Sequence, residues 1–275
     1  MRWALTYKSD PTHPKGKKAK ARIVILGYQH PEVEQLETAS PTLSRTGKHL
    51  VLQWAALNQA TVESADAKSA FLQGDGQELD DNEPIYVRAI AEVAHALNVP
   101  MGCAVRIVKA VYGLGNAPRS WFFSVNRSLT GIGGKQLTSE PCIWTFTGTD
   151  GTIIGVVAAY VDDFLIAGNH HNDEFLAIRK KIQTLYRWGN WSKGSFTMCG
   201  VKITQRLDYS FVLDQSKYVH EGLRLIDIPK GDRSMTASCH NYELFWVRSN
   251  GKPLKQDPTY PHPSTHFKVK SQRLR

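Results

Sequence analysis

Cysteine is scarce in this chain: its 275 residues hold four, Cys103, Cys142, Cys199 and Cys239, all far apart. No C-x-x-C pair exists, so neither a zinc knuckle nor a disulfide framework is indicated. Reduced, buried thiols of an intracellular protein are the expectation. Long apolar runs are missing as well. No stretch of eighteen apolar residues occurs and the N-terminus has no signal-peptide pattern, so neither a membrane span nor secretion is expected. There is no internal repeat, which sets solenoid architectures aside. The glycine-rich stretch from Tyr112 to Arg119 lacks the G-x-x-x-x-G-K-[ST] pattern and is not a P-loop. Acidic residues are in deficit, 25 Asp and Glu against 34 Lys and Arg, giving a net charge of +9 and a pI of about 9.3. That balance favours a polyanion partner, although a solvated basic surface satisfies it equally well. What is present is enough for a real core: 41% of residues are hydrophobic and 10% aromatic, sufficient for two subdomains.

Residues Thr152 to Gly168 read TIIGVVAAYVDDFLIAG. Two apolar runs flank adjacent carboxylates, Asp162 and Asp163. Each run is too short for an independent helix and suits a buried strand. A tight hairpin with Tyr160-Val161-Asp162-Asp163 at its turn is the simplest geometry. Side-by-side carboxylates repel unless a cation neutralises them, and hard divalent ions such as Mg²⁺ take oxygen ligands. Half of a metal site is one reading. An ordinary polar turn is the other, since Asp is a common turn residue.

Along the chain, Met1 to Tyr7 suits a strand and Asp10 to Lys20 a Pro/Gly/Lys loop. Lys15, Lys17, Lys18, Lys20 and Arg22 form a basic cluster, either a solvated tip or a phosphate contact surface. Ala21 to Tyr28 reads as a strand. Ser44 to Asn58 reads as a helix with Leu50, Trp54 and Leu57 as its core stripe. Thr61 to Asp66 reads as a strand ending in a carboxylate, and Asp66 there is usually a helix N-cap. A short helix closed by Gly74 follows, then an acidic loop from Gln77 to Glu83. Ile85 to Arg88 and Val105 to Val111 read as strands around a helix from Ala89 to Leu97. Pro118 suits a helix's first turn, with Trp121, Phe122, Val125 and Leu129 as the buried stripe. Cys142 to Thr147 leads into the central hairpin. Asp173 to Trp188 is an amphipathic helix. Ser195 to Thr204 and Tyr209 to Leu213 form a second hairpin, and Gln215 to Val219 opens another helix. Residues 230 to 275 show no clear period and are expected to be poorly ordered.

Several of these segments, in this order, resemble the reverse transcriptase of copia-type LTR retrotransposons. The matching pieces are Lys20-Ala21-Arg22-Ile23-Val24, Ser40-Pro41-Thr42, and Asp66-Ala67-Lys68-Ser69-Ala70-Phe71-Leu72-Gln73-Gly74. Then come Tyr112-Gly113-Leu114 with Ala117-Pro118-Arg119, Tyr160-Val161-Asp162-Asp163, Cys199-Gly200-Val201-Lys202-Ile203 and Gln215-Ser216-Lys217-Tyr218. Each is weak alone. The resemblance implies an α+β fold of fingers and palm, an antiparallel palm sheet packed on helices, and an incomplete thumb. It implies a core over 1–228 and a divergent tail over 229–275. It also implies RNA-templated addition of deoxynucleotides to a primer, with an RNA/DNA template-primer and dNTPs as partners. Asp66, Asp162 and Asp163 become catalytic metal ligands for two Mg²⁺ ions, with Mn²⁺ as a substitute. Lys20 and Arg22 face the triphosphate, as does the backbone of Ala67. Phe71 sits under the sugar as a steric gate that favours deoxynucleotides. The expected setting is a cytoplasmic retrotransposon particle with access to the nucleus and no membrane.

The chain departs from the family pattern where Gly115 and Asn116 stand in place of Lys and Gln. Asn116 keeps the amide on a shorter arm, at a loop expected to touch template or nucleotide. Protease, integrase and RNase H parts do not accompany the core. A catalytically dead remnant that binds nucleic acid therefore stands as the alternative, and a metal-dependent nuclease or phosphotransferase as a third reading.

Overall fold

The central hairpin becomes the middle of a six-stranded antiparallel sheet. The computed structural model describes residues 1–9, 13–29, 37–76, 84–222, 242–247 and 266–271. Strands β1 (Arg2–Ser9) and β2 (Lys17–Val24) precede helix α1 (Arg45–Leu57) and β3 (Thr61–Ala67). Next come α2 (Ala70–Gln73), β4 (Tyr86–Arg88), α3 (Ala91–Leu97) and β5 (Ala104–Arg106). Helix α4 (Ala117–Gly131) leads into β6 (Lys135–Gln136), β7 (Ile143–Thr147), β8 (Ile153–Tyr160) and β9 (Asp163–Gly168). Helix α5 (Asp173–Leu185) is followed by β10 (Trp188–Lys193), β11 (Ser195–Met198), β12 (Val201–Gln205) and β13 (Phe211–Asp214). Helix α6 (Ser216–Gly222) comes last before β14 (Tyr242–Val247) and β15 (His266–Ser271), which pair antiparallel. These two strands lie within the tail expected to be poorly ordered. The chain forms two compact units, Met1–Tyr218 and Val219–Arg275.

The sheet order is β10-β3-β9-β8-β7-β6. Side chains alternate between its faces, so consecutive residues enter different cores. Leu165 and Ala167 join α1 residues Val51, Leu52 and Ala55 on one face. Phe164 and Ile166 meet Trp121, Val125 and Leu129 of α4, with Phe175 and Ile182 of α5, on the other. Coverage on both faces explains why the strands read as near-continuous apolar runs rather than alternating ones. Each fully buried large side chain here contributes about 1.5–3 kcal/mol.

Several sequence expectations change. On α1 the buried stripe is Gly47, Lys48, Val51, Leu52 and Ala55, while Leu50 and Leu57 are exposed. Of the expected stripe only Trp54 packs against the core, and it is partly buried. Of the basic cluster, Lys17, Lys18 and Lys20 lie in β2 itself rather than in the loop, beside Arg22, and pair with β1. The strand expected over Val105 to Val111 is only β5. Helix α5 stops at Leu185, and Trp188 opens β10, an edge strand with no sequence signal. Residues 195–214 form a three-stranded meander instead of one hairpin. Cys199 and Gly200 both take positive φ, +50° and +74°, in its first turn, as a mirror-image two-residue turn requires. Gln205 ties this meander to the start of β3, accepting from the Val62 N–H at 3.0 Å and donating to the Ala60 carbonyl at 2.8 Å. The acidic loop at 77–83 lies outside the described residues.

Candidate active site

Tyr160 pairs with Asp163, leaving Val161 and Asp162 as the two residues of the turn. Val161 has φ +56°, a left-handed conformation that disfavours a β-branched residue by about 1–3 kcal/mol. Its carbonyl accepts the indole N–H of buried Trp121 at 2.7 Å. The next carbonyl, that of Asp162, accepts the Ala67 N–H at 2.8 Å. Both peptide planes flanking Asp162 are therefore held from outside the hairpin.

Strand β3 lies beside β9 in a register that puts Asp66 opposite Asp163. The three predicted carboxylates thus come from two adjacent strands and one turn. Like charges placed opposite each other destabilise a sheet. Burial is the main cause that pushes Asp163 up to about 6, and Asp162 and Asp66 add to it. Asp66 is also raised, by burial first and then by Asp162, while Lys8, Lys20 and Lys68 oppose the rise. Asp66 is not a helix cap: Ser69 occupies that position at α2, with φ +51° and no side-chain cap bond.

Room for the Asp66 carboxylate depends on the neighbouring edge strand. A Cβ on Gly189 of β10 would run into Asp66 Oδ2. Gln73 fixes the same corner, donating to the Lys68 and Arg187 carbonyls at 2.7 and 3.1 Å and accepting from the Arg187 N–H at 2.7 Å. Neither Gly189 nor Trp121 was legible as a site residue, because their partners lie on other strands.

The expected nucleotide-contact residues gather in part. Lys20 lies within electrostatic reach of Asp66. Arg22, two residues along the same face of β2, stacks over the Tyr112 ring at 5.2 Å, and Phe71 packs on that ring at 5.4 Å. Tyr112 is held in turn, its carbonyl accepting the Ile25 N–H at 2.8 Å. Gly113, at φ +90°, passes so close to Ile25 that any Cβ would strike the Ile25 carbonyl. The Ala67 N–H donates to the Asp162 carbonyl at 2.8 Å, because pairing between the two segments continues one residue past Asp66. Asn116 precedes α4 without a side-chain cap bond, and its buried Oδ1 has no hydrogen-bond partner among the described residues.

The carboxylates supply only hard oxygen donors, which suits Mg²⁺. Among the described residues no three Asp, Glu, His or Cys side chains close into a cage around an ion. A Mg²⁺ site does not need one, since one or two carboxylates with substrate phosphates and water suffice.

The chain belongs to the reverse transcriptase (RNA-dependent DNA polymerase) family, whose model matches residues 1–236. It is 30% identical over 215 residues to the retrovirus-related Pol polyprotein from transposon TNT 1-94 of Nicotiana tabacum, covering 74% of this chain and 15% of that protein. It is 32% identical over 181 residues to the retrovirus-related Pol polyprotein from transposon RE1 of Arabidopsis thaliana, covering 61% of this chain and 11% of that protein. The chain thus spans a small part of the polyproteins it matches. Among solved structures, a telomerase from Candida albicans in complex with a fragment of telomeric RNA aligns at TM-score 0.37 and 11% identity, covering 77% of this chain and 39% of that one. No helix among the described residues is long and apolar enough to cross a membrane.

Proposed function

We propose that residues 1–228 form a polymerase core that adds deoxynucleotides to a primer 3′-hydroxyl on an RNA template and releases pyrophosphate. The observation that carries this reading is the cross-strand pairing of Asp66 with Asp163, with Asp162 at the adjoining turn. Asp66 and Asp162 would be the main ligands of Mg²⁺, with Asp163 shaping the local field. Bound there, the ions would acidify the primer hydroxyl and neutralise charge on the triphosphate and the leaving pyrophosphate. The chain's own groups account for the rest. Lys20 and Arg22 bring positive charge and a planar fork suited to phosphate. Phe71, braced by Tyr112, would exclude a ribose 2′-hydroxyl. The orphaned Asn116 Oδ1 offers an acceptor to a bound hydroxyl or base.

The deciding experiment is extension of an oligo(dT) primer on poly(rA) with Mg²⁺, wild type against the Asp162→Asn, Asp163→Asn double variant. Extension by wild type alone supports the reading. Failure of both, from folded protein that still binds the duplex, favours the non-catalytic nucleic-acid binder instead. Mg²⁺-dependent loss of template without primer growth favours a nuclease.

A further inference from the structure

Helix α2 is four residues long, and Phe71 is its second residue. A single turn does not hold its own place, because nucleating a helix is unfavourable and only further turns offset it. The entry to this one is strained as well. Ser69 takes φ +51°, a left-handed conformation for a non-glycine residue, and gives α2 no side-chain cap bond. The position of Phe71 is therefore decided by what the chain on either side is tied to.

Strand β3 is anchored by the sheet. Its last residue, Ala67, pairs with Trp188 of β10 and donates to the Asp162 carbonyl at 2.8 Å. One further bond, from the Lys68 N–H to the Arg187 carbonyl at 3.0 Å, extends that contact. From there the half-buried Gln73 side chain continues it. Its carboxamide donates to the Lys68 carbonyl at 2.7 Å, which folds the end of α2 back onto its approach. The same group donates to the Arg187 carbonyl at 3.1 Å and accepts the Arg187 N–H at 2.7 Å. One side chain thus joins both ends of the Lys68 to Gln73 segment to the residue before β10, 114 positions away. Past Gly74 the chain is held by α4. The Asp75 N–H donates to the Ser124 hydroxyl at 3.2 Å, and Arg127 donates to the Asp75 carboxylate at 2.8 and 2.7 Å. Asp66 is held by the sheet, Asp75 by α4, and the backbone under Phe71 by Gln73.

We propose that Gln73 is a positioning residue for sugar selection: it fixes the backbone of α2 so that the Phe71 ring stands where a ribonucleotide's 2′-hydroxyl would have to lie. This rests on the polymerase reading, with Phe71 as the gate. Gln73 acts through Phe71, whose ring leans on Tyr112 while its backbone depends on the carboxamide. Without that carboxamide Asp66 keeps both neighbouring strands, so the loss falls on the gate rather than on the acid cluster.

The test is single-nucleotide extension of a primed RNA template with Mg²⁺, dATP against ATP, for wild type, Gln73→Ala, Phe71→Val and the double variant. Gln73→Ala should lower the dATP-over-ATP ratio of kcat/KM by roughly fivefold, the scale of a lost hydrogen bond, chiefly through a lower KM for ATP. Gln73→Glu keeps an acceptor for the Arg187 N–H but loses the donor, and should lower the ratio similarly; it carries the same test if Gln73→Ala fails to fold. In the Phe71→Val background Gln73→Ala should lower the ratio no further, because the ring it places is already gone. Amide exchange followed by mass spectrometry should rise over residues 68–74 in Gln73→Ala while β9 stays protected. Wild-type selectivity in a folded variant overturns the proposal. So does an equal fall in kcat for both nucleotides at a constant ratio, or a loss that adds to that of Phe71→Val. A wild type that does not extend overturns the polymerase reading and the sugar role together, which is distinct from an active wild type matched by its variants.

Discussion

The Trp121 indole N–H and the Val161 carbonyl meet at 2.7 Å, across 40 positions of sequence. Val161, rather than either aspartate, takes the left-handed conformation in the turn. The strain therefore sits beside the acids, and a buried donor on α4 holds it there.

Trp121→Phe keeps an aromatic ring against Tyr186, now at 4.9 Å centroid distance, but removes the donor. The Val161 carbonyl then loses its partner, which costs about 1–3 kcal/mol. Urea denaturation should show a loss of that size. Single-nucleotide kinetics should show a lower kcat with KM for the nucleotide little changed, because Asp162 loses its aim while the nucleotide contacts stay. A variant with wild-type kcat would show that the turn holds its shape without Trp121.

Gly189→Ala acts from the other side. The added methyl meets the Asp66 carboxylate, which is the movable partner in that contact. Thermal stability should change little, because a side-chain end rotates away more readily than backbone shifts. Extension should fall well below wild type. Retained activity would mean that the displaced carboxylate still serves, or that Asp66 does not take part.

Asp163 makes stability depend on pH. The folded protein holds this proton up to about pH 6, while the unfolded carboxyl releases it near 3.8. The folded state binds more protons through that window, so this group lowers stability as pH rises from about 4 to about 6. In chelator, Asp163→Asn should melt above wild type near pH 7.5, and the difference should close near pH 4. Adding Mg²⁺ near pH 7.5 should stabilise wild type more than the variant. Equal melting curves across the range would remove the charge repulsion inferred among the three acids.

Glu63 is a buried carboxylate, 3% exposed, compensated by a two-pronged bond from Arg179 at 2.6 and 3.0 Å and by the Trp191 indole at 3.1 Å. Arg179→Met strands that charge and should destabilise the fold by about 3–5 kcal/mol in urea denaturation. The Glu63→Leu, Arg179→Met double variant should recover most of the loss, since an apolar pair carries no desolvation debt. A double variant as unstable as the single one would point to lost packing rather than stranded charge.

The sequence disclosed the central hairpin because two apolar strands bracket a polar pair, a pattern that survives without knowledge of neighbours. It disclosed Asp66 through a motif rather than through geometry. It misled on α1, where Leu50 and Leu57 share one helical face and Val51, Leu52 and Ala55 another, and only the packed sheet decides between them. It gave no sign of β10, whose Gly189 and Asn190 break any strand pattern and whose pairing exists only against β3. The Glu63–Arg179 pair, 116 residues apart, was beyond any local reading.

The sheet order has a consequence for how the molecule comes into being. Strand β3 is flanked by β9 and β10, both later in the chain, while β8 and β9 are joined by a two-residue turn. Local hairpins close in microseconds, whereas pairings across about a hundred residues are slow. The β8–β9 hairpin can therefore form first, with β3 waiting on the ribosome's later output. Asp66 would meet Asp163 only as the sheet is finished, which makes the acid cluster one of the last features to mature; pulse-labelled hydrogen exchange that protected β3 before β9 would contradict that order.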